Sequence, residues 1–436
     1  MTNSNHERAQ ITARLAVTIA ILLIALATLS LQAQTFTVIH TFTGAEGGNP
    51  AAGLTIDRVG NLYGTAEYGG GHACLIAQCG SVFKLAHVGS GWVVSVLHAF
   101  QGGADGQFPQ ARVSFGPAGT LYGTTAVGDN GIVFNLRPPA TFCHSVSCPW
   151  TKSALFLFPY GSNNTGYLLS GDLTFDAAGN IYGTTVYGGL PLNCSQHGCG
   201  VIYQLTHSGE TWTENILYEF TGINDGGNPA SGVIFDQAGN LYGTAPIGRD
   251  NGRFGVVYQL SHSGSGWTQT VLYSFRDAED GGGPYGGLIF DAVGNFYGTS
   301  VYGGSGGGGT VFELSPSGGS WNFNLLSSLS GDPQNNSGPR GNLVRDSVGN
   351  LYGTTLYEGA YGYGNVFKLT PSSGGWTYTS LHDFTGGSDG AYPYDGLVSD
   401  GNGHLYGTTY FGGTAGVGCV IAYYGQLCGV AFEITP

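Results

Sequence analysis

Basic residues and methionine are scarce in this sequence. The 436 residues include 13 Lys and Arg against 27 Asp and Glu, and Met1 is the only methionine. The formal charge of −14, with no cluster of Lys or Arg, excludes a nucleic-acid-binding surface and predicts repulsion from anionic membranes. Beyond residue 33 no long segment has apolar residues at helical spacing, which argues against a helical domain.

Glycine and tyrosine are abundant instead, with 79 and 26 copies, a composition typical of many short strands joined by tight turns. In the unit around Tyr242, four such strands are predicted at 232–236, 240–245, 255–260 and 267–275. The hexapeptide Gly-Asn-Leu-Tyr-Gly-Thr and its close variants occur at 60–65, 119–124, 179–184, 239–244, 294–299, 349–354 and 403–408. Seven four-stranded units predict an all-β, seven-bladed β-propeller with four antiparallel strands in each blade.

The two ends of the repeat region predict how the ring closes. A tryptophan begins the fourth strand of each of the first six units, whereas the seventh unit has no fourth strand before Pro436. The segment QTFTVIHTF at 34–42 has the pattern of the missing strand. We therefore expect the N-terminal strand to complete the last blade, because a closed ring has no exposed strand edge.

The repeated Leu-Tyr-Gly-Thr segment is interpreted as packing. Near-identical copies on every blade suit a structural role better than a catalytic one. Alternation along the strand places Leu62 and Gly64 on one face and Tyr63 on the other. We expect Gly64 and its counterparts to leave room for an aromatic ring from the adjacent blade.

Residues 1–33 have the pattern of an export signal. A 17-residue apolar run at 15–31 follows the charged residues Arg8 and Arg14 and precedes the small residue Ala33. This predicts a cleaved signal peptide, with an uncleaved N-terminal membrane anchor as the alternative. In both cases residues 34–436 are exported, to the extracellular space, the periplasm or the cell surface.

The eight cysteines occur as four close pairs. On an exported chain such pairs predict local disulfides. The pairs are Cys74 and Cys79, Cys143 and Cys148, Cys194 and Cys199, and Cys419 and Cys428. Zinc is the alternative, since His72 and His197 lie beside two pairs, but no pair has the two-residue spacing common in structural zinc sites.

The complete repeat resembles a known family. Its pattern is Gly-Leu-x-x-Asp-x-x-Gly-Asn-Leu-Tyr-Gly-Thr-Thr, then Gly-Gly, Gly-x-Val-Phe-x-Leu, Trp, Leu-Tyr-x-Phe and Gly-Gly-x-Asp-Gly-x-x-Pro. This pattern resembles the GloVer tandem repeat of bacterial choice-of-anchor proteins over essentially all of residues 34–436. The resemblance implies an exported, repeat-built bacterial protein without a settled biochemical activity. The Asp-x-x-Gly-Asn hairpin is also similar to that of lactonase-type propellers.

Two loops of each blade are expected on the same face, and their residues are the candidate ligand contacts. Aromatic residues precede Gly-Gly after the second strand or accompany the proline before the next blade: Tyr68, Tyr187, Tyr302, Tyr357, Phe411, Phe108, Tyr285, Tyr392 and Tyr394. Acidic residues recur in the second loop: Asp105, Asp225, Asp280 and Asp389, with Glu46 at the equivalent point. The aromatic residues suit stacking on sugars, and the acidic loops suit calcium. Tight-turn chemistry is the structural alternative for both groups.

These observations favour a monomeric binding or interaction module for an extracellular glycan or an envelope protein. A propeller enzyme, such as a polysaccharide lyase, a hydrolase or a lactonase-like enzyme, is the alternative, and a purely structural surface protein is the third. No histidine is paired in sequence with a nucleophile or a metal-ligand set, so no catalytic residue, metal ligand or cofactor is predicted apart from the calcium alternative.

Overall fold

The computed structural model describes residues 34–436 apart from 72–73, 75–77, 127–129, 140–149, 160–165, 190–193, 195–196, 249–253, 265, 277–278, 332–337 and 414–427. Residues 1–33 lie outside this part, so the signal peptide or anchor stays a prediction. Among the described residues no helix has both the length and the apolar character needed to cross a membrane.

The described residues form seven separate four-stranded antiparallel sheets, one for each predicted blade. The innermost strands are β2 (Thr55–Ile56), β6 (Ser114–Phe115), β10 (Thr174–Phe175), β14 (Ile234–Phe235), β18 (Ile289–Phe290), β22 (Val344–Arg345) and β26 (Val398–Ser399). The second strands are β3 (Leu62–Ala66), β7 (Leu121–Thr125), β11 (Ile181–Thr185), β15 (Leu241–Ala245), β19 (Phe296–Ser300), β23 (Leu351–Thr355) and β27 (Leu405–Thr409).

The outer half of each sheet is longer. The third strands are β4 (Ser81–Val88), β8 (Asn130–Arg137), β12 (Val201–Ser208), β16 (Val256–Ser263), β20 (Gly307–Ser317), β24 (Asn365–Ser372) and β28 (Val430–Thr435). The outermost strands are β5 (Gly91–Ala99), β9 (Thr151–Pro159), β13 (Thr211–Glu219), β17 (Gly266–Ser274), β21 (Ser320–Ser330), β25 (Gly375–Asp383) and β1 (Thr35–Thr41). Blades 1 to 6 are β2–β5, β6–β9, β10–β13, β14–β17, β18–β21 and β22–β25, and blade 7 is β26–β28 with β1.

The ring closes as the sequence predicts. The sheet of blade 7 has the order β1-β28-β27-β26, so the N-terminal strand is the outermost strand of the last blade. The ring of Phe36 in β1 contacts two blades. It packs against Phe432 of β28 in blade 7 and against Phe384 at the end of blade 6. The seven-bladed propeller and its closure by the N-terminal strand are therefore confirmed.

The hairpin between the first two strands is held by an aspartate. In blade 4, Asp236 accepts hydrogen bonds from the backbone amides of Ala238 and Asn240, at 2.8 Å each, and from the Tyr242 hydroxyl at 3.0 Å. Gly239 has a φ of 84°, a conformation that glycine adopts without strain. Burial opposes the charge of Asp236, but these donors outweigh it and lower the pKa of the carboxyl.

The second strands are buried on both faces, which confirms that the repeated segment packs the blades. Tyr63 of blade 1 contacts Phe115 and Trp150 of blade 2, with ring centroids 5.2 and 6.1 Å apart. The expectation for Gly64 is wrong. A Cβ on Gly64 would lie 2.6 Å from Cζ of Phe83, which is its cross-strand partner in the same blade. Directly opposed residues of paired strands share a face, so the ring above the glycine comes from the neighbouring strand.

Two of the predicted disulfides are present, Cys74–Cys79 and Cys194–Cys199. Cys428 is also disulfide-bonded. Cys143, Cys148 and Cys419 lie outside the described residues, and their pairing stays a prediction. Disulfides are typical of proteins that work in an oxidising compartment.

Candidate functional site

A strained loop precedes the innermost strand of most blades. Among the described residues, five other than glycine have a positive φ, between 53° and 61°, and all five occupy the same repeat position: Asn49, Phe108, Leu168, Asn228 and Tyr392. The residue that follows is a proline in four of these five loops. The backbone amide of Asn228 donates to the Cys199 carbonyl of the preceding blade at 2.6 Å. The amides of Asn49, Phe108 and Tyr392 make the equivalent bond to the preceding blade, so bonds between blades hold four of these five loops in place at one mouth of the central channel.

The repeat position after this proline lines a single cavity. The residues at this position are of five different types, and all seven line a cavity of about 520 Å³: Ala51, Gln110, Ser170, Ala230, Tyr285, Arg340 and Tyr394. The volume lies within the range of small-molecule sites. We call this cavity the cup. At this point all seven blades contribute a side chain to one space.

One wall of the cup is a row of contacting side chains from blades 5, 6 and 7. The Arg340 guanidinium lies 5.1 Å from the ring centroid of Tyr285 and 5.8 Å from that of Tyr394. The Tyr394 ring contacts the Tyr410 ring, with centroids 4.9 Å apart. Cation–π and ring contacts of this kind fix the planes of large side chains. The wall therefore presents flat aromatic surface to the cavity.

The row continues to Glu67 of blade 1, which is 6 % exposed. Its carboxylate accepts hydrogen bonds from the Tyr410 hydroxyl and from Nε2 of Gln110, both at 2.8 Å. Burial raises the pKa of Glu67, and these donors oppose the rise. The carboxylate thus has protein partners from the last blade and the second blade.

Asp172 and Asp395, which line the cup, form an ion-pair cluster with Arg112, and the three residues come from three blades. We call this part of the cup its floor. Nη2 of Arg112 lies 3.5 Å from Asp395, and Nε of Arg112 lies 3.8 Å from Asp172. Burial raises the pKa of Asp172, although the positive charge of Arg112 opposes this rise. Gly53 leaves room for the arginine, since a Cβ there would lie 2.5 Å from Nη2 of Arg112.

Of the nine aromatic residues predicted from the sequence, three line the cup: Tyr187, Tyr285 and Tyr394. The others pack around it. Tyr357 contacts Tyr392, with ring centroids 4.9 Å apart, and Tyr68 contacts Phe108 at 5.3 Å. Backbone bridges join Tyr68, Tyr302 and Phe411 to the loop before the innermost strand of their own blade, so the two loops do share one face.

The acidic loop residues lie elsewhere and contact their own loop. Asp225 accepts from the Tyr218 hydroxyl at 2.9 Å and from the Thr221 amide at 2.8 Å. In the same way, Asp280, Asp389 and Asp105 are each hydrogen-bonded to the side chain of the residue seven positions earlier in the chain. Asp105 also forms an ion pair with Lys152, at 2.7 Å. Glu46 is bonded to His40 at 3.0 Å. Calcium binding by these loops stays a prediction; the described residues contain no group of three His, Cys, Asp or Glu arranged to hold a metal.

Sequence reasoning missed the residues that give the cup its charge, Glu67, Arg112, Asp172, Arg340 and Asp395. They do not recur from blade to blade, so a search for repeated features passes over them. The signal was present in the alignment of the seven units, where the positions just after the proline vary while the flanking residues stay constant.

The fold and the cup define a seven-bladed propeller with one cavity at a channel mouth. The Gloeobacter/Verrucomicrobia repeat model matches residues 25–194 and 170–421, so the chain belongs to the Gloeobacter/Verrucomicrobia repeat family, as its sequence pattern indicates. It matches none of the curated protein sequences.

Solved propellers resemble the chain distantly. The periplasmic gluconolactonase PpgL of Pseudomonas aeruginosa is 14 % identical, with 81 % of this chain and 96 % of that one covered and a TM-score of 0.49. A putative 6-phosphogluconolactonase of Bacteroides fragilis is also 14 % identical, with 87 % and 88 % covered and a TM-score of 0.47. Similarity at this level carries no argument about activity, so the function must be inferred from the cup itself.

Proposed function

We propose that this protein is an exported binding module that holds a glycan in the cup. The observation that carries the proposal is the convergence of one variable position from all seven blades on a single cavity that includes Tyr285 and Tyr394. Sugars bind proteins through apolar ring faces and hydroxyl groups. The tyrosine rings offer surface for the first, and Gln110 and Asn342 offer amide groups for the second.

Export is part of the same proposal. The apolar run at 15–31 supports it, and so do the disulfides Cys74–Cys79 and Cys194–Cys199. A purely structural surface protein needs no concave site. The presence of the cup therefore favours a ligand-binding function over a purely structural one.

A hydrolase is the second candidate. Asp172 and Asp395 form a pair of carboxylates on the floor of the cup. The raised pKa of Asp172 is the property that a general acid needs, and a second, ionised carboxylate is the usual partner in glycoside hydrolysis. In this candidate Asp172 donates its proton to the leaving glycosidic oxygen, and Asp395 stabilises the positive charge that develops on the sugar. A water molecule then bonds to the anomeric carbon and returns its proton to Asp172.

The test is binding of residues 34–436 to a panel of neutral and acidic oligosaccharides and polysaccharides, with and without calcium, with released sugar measured in parallel. We expect binding that falls at least about tenfold in Tyr394→Ala, because ring stacking is lost. The matched control is Tyr357→Ala, whose side chain is 39 % exposed and lies outside the cup.

Each result has a distinct meaning. Binding that falls in the control variant but not in Tyr394→Ala would place the site at the loop that carries Tyr357 and contradict the cup. Sugar release that is lost in Asp172→Asn would establish the hydrolase. Absence of binding across the panel would refute the glycan and direct the search to an envelope protein.

A further inference from the structure

The charged side chains in and beneath the cup differ in whether other side chains of the protein form a hydrogen bond or an ion pair with them. Glu67 has two hydrogen-bond donors, and Arg112 is paired with Asp172 and Asp395. Arg340 is the exception. Within the described part of the chain its guanidinium has neither an ion pair nor a hydrogen bond, and its Nε is buried without a partner.

Arg340 is half-buried, and its buried Nε lacks a hydrogen bond, so the guanidinium is only partly hydrated. Removing a cation from water is unfavourable unless an anion or several acceptors replace the lost hydration. Acidic side chains outnumber basic ones by 27 to 13 in the sequence, so a structural partner for Arg340 would have been easy to provide. Arg112 of blade 2 has two such partners. The missing anion is therefore expected from outside the protein.

The surroundings of Arg340 also set the geometry of that anion. Tyr285 of blade 5 and Tyr394 of blade 7 flank the guanidinium, at 5.1 and 5.8 Å from their ring centroids. Contacts with ring faces hold the guanidinium plane and leave its N–H groups to donate within that plane. Two parallel donors in one plane match the two oxygens of a carboxylate.

We infer that Arg340 is the anion subsite of the cup and binds the carboxylate of a uronic acid, so that the ligand is an acidic glycan. The inference rests on the proposed glycan-binding function and names the class of sugar. The tyrosine rings beside the arginine supply the stacking surface for the same sugar residue. The net charge of −14 opposes non-specific attraction of a polyanion, so binding of an acidic glycan requires a local site such as this one.

The test compares tetragalacturonate with its fully methyl-esterified form and with a sulfated neutral tetrasaccharide, using titration calorimetry on residues 34–436. We expect the acid to bind about tenfold or more tightly than the ester, since a charge-assisted bidentate pair is lost on esterification. Arg340→Gln should abolish this preference and leave binding of the ester nearly unchanged.

Arg345→Gln is the matched control. Arg345 lies on β22 of the same blade, and its guanidinium also lies near a tyrosine ring, 5.7 Å from the centroid of Tyr297, but outside the cup. We expect this variant to keep the preference for the acid. Thermal unfolding of both variants checks that the fold is intact, and Arg340→Lys, which keeps the charge but not the planar fork, should recover only part of the preference.

Four outcomes would overturn the inference, and only the last of them also overturns the proposed function. Equal binding of acid and ester, with other glycans bound, would refute the anion subsite and leave the glycan module standing. A preference for the acid that survives in Arg340→Gln would move the subsite to another residue. A stronger, Arg340-dependent preference for the sulfated sugar would refute the carboxylate as the recognised group. If no glycan of any charge binds, the proposed function fails together with the inference.

Discussion

Tyr410 donates a 2.8 Å hydrogen bond to the carboxylate of Glu67, although 343 positions separate the two residues in the chain. Tyr410 follows the second strand of blade 7, and Glu67 follows the second strand of blade 1. The bond therefore joins the last blade to the first at the mouth of the channel. Because Gln110 of blade 2 binds the same carboxylate, one buried side chain connects three consecutive blades.

This bond gives a first prediction. Tyr410→Phe removes one donor from a buried carboxylate, and we expect the free energy of unfolding to fall by about 2 kcal/mol, the usual cost of losing a hydrogen bond to a charged group. Urea denaturation followed by tryptophan fluorescence measures it. Tyr357→Phe, at an exposed tyrosine, should change stability by less than about 0.5 kcal/mol. Equal effects of the two substitutions would show that the bond contributes nothing.

Closure of the ring by β1 gives a second prediction. Phe36 packs against Phe384 and Phe432 and stacks on His382, with ring centroids 3.6 Å apart. We expect Phe36→Ala to lower the free energy of unfolding by about 3 kcal/mol, since it leaves a cavity at the joint between blades. Thr37→Ala, on the exposed side of the same strand, is the control. A midpoint of urea unfolding that is the same for both variants would mean that β1 does not hold the ring closed.

Two buried tyrosines give a third prediction. Tyr258 occupies a position where five other blades have phenylalanine, and its hydroxyl is buried without a hydrogen-bond partner among the described residues. We expect Tyr258→Phe to stabilise the protein by about 1 kcal/mol, because an unsatisfied buried hydroxyl is unfavourable. Tyr242→Phe should have the opposite effect, since the Tyr242 hydroxyl bonds to Asp236 and Gln259. Thermal and urea unfolding of the pair check the sign; destabilisation by Tyr258→Phe would contradict the prediction.

Glu358 gives a fourth prediction, on pH. Its side chain is 7 % exposed, and burial raises its pKa from 4.5 to about 9. The folded protein therefore holds a proton that the unfolded chain releases, so the stability that depends on Glu358 is fully present below pH 4.5 and is lost as the pH rises towards 9. The decline is at most about 1.4 kcal/mol per pH unit for one proton.

The substitution Glu358→Gln tests this dependence. The amide cannot ionise, so the variant should lose this decline and be more stable than the wild type at pH 8. Glu210→Gln, at an exposed glutamate, should leave the pH profile unchanged. The measurement is the midpoint of urea unfolding at unit steps from pH 4 to 9. Parallel profiles for wild type and Glu358→Gln would exclude Glu358 as the source of the decline.

The fold was predictable because its determinants are local and repeated. Each hairpin carries its own turn residues, such as Asp236 and Gly239. The unit occurs seven times, and the outermost strand of the last blade is found at the N-terminal end of the repeats, which predicts a closed ring. The misassigned partner of Gly64 shows the limit of this reasoning. Alternation tells which face a residue occupies, but not whether Phe83 of the same sheet or a ring of the next blade fills the space above it.

The cup was only partly predictable. Tyr187, Tyr285 and Tyr394 stand out as aromatic residues in loops, but the charged floor does not. Arg112 and Asp172 are 60 positions apart, and Arg112 and Asp395 are 283 apart, so no spacing in the sequence marks them as neighbours. Their contact depends on how the blades are arranged around the channel, which follows from the closed ring and not from any single repeat.

The pairing of β1 with β28 has a consequence for biosynthesis. A ribosome makes β1 before any other strand of the propeller, whereas its partner emerges last. During the synthesis of all seven blades this first strand has no native neighbour to accept its backbone hydrogen bonds. An unpaired strand on a nascent chain is prone to mispairing, so maturation of this protein depends on how well β1 is shielded until β28 has been synthesised.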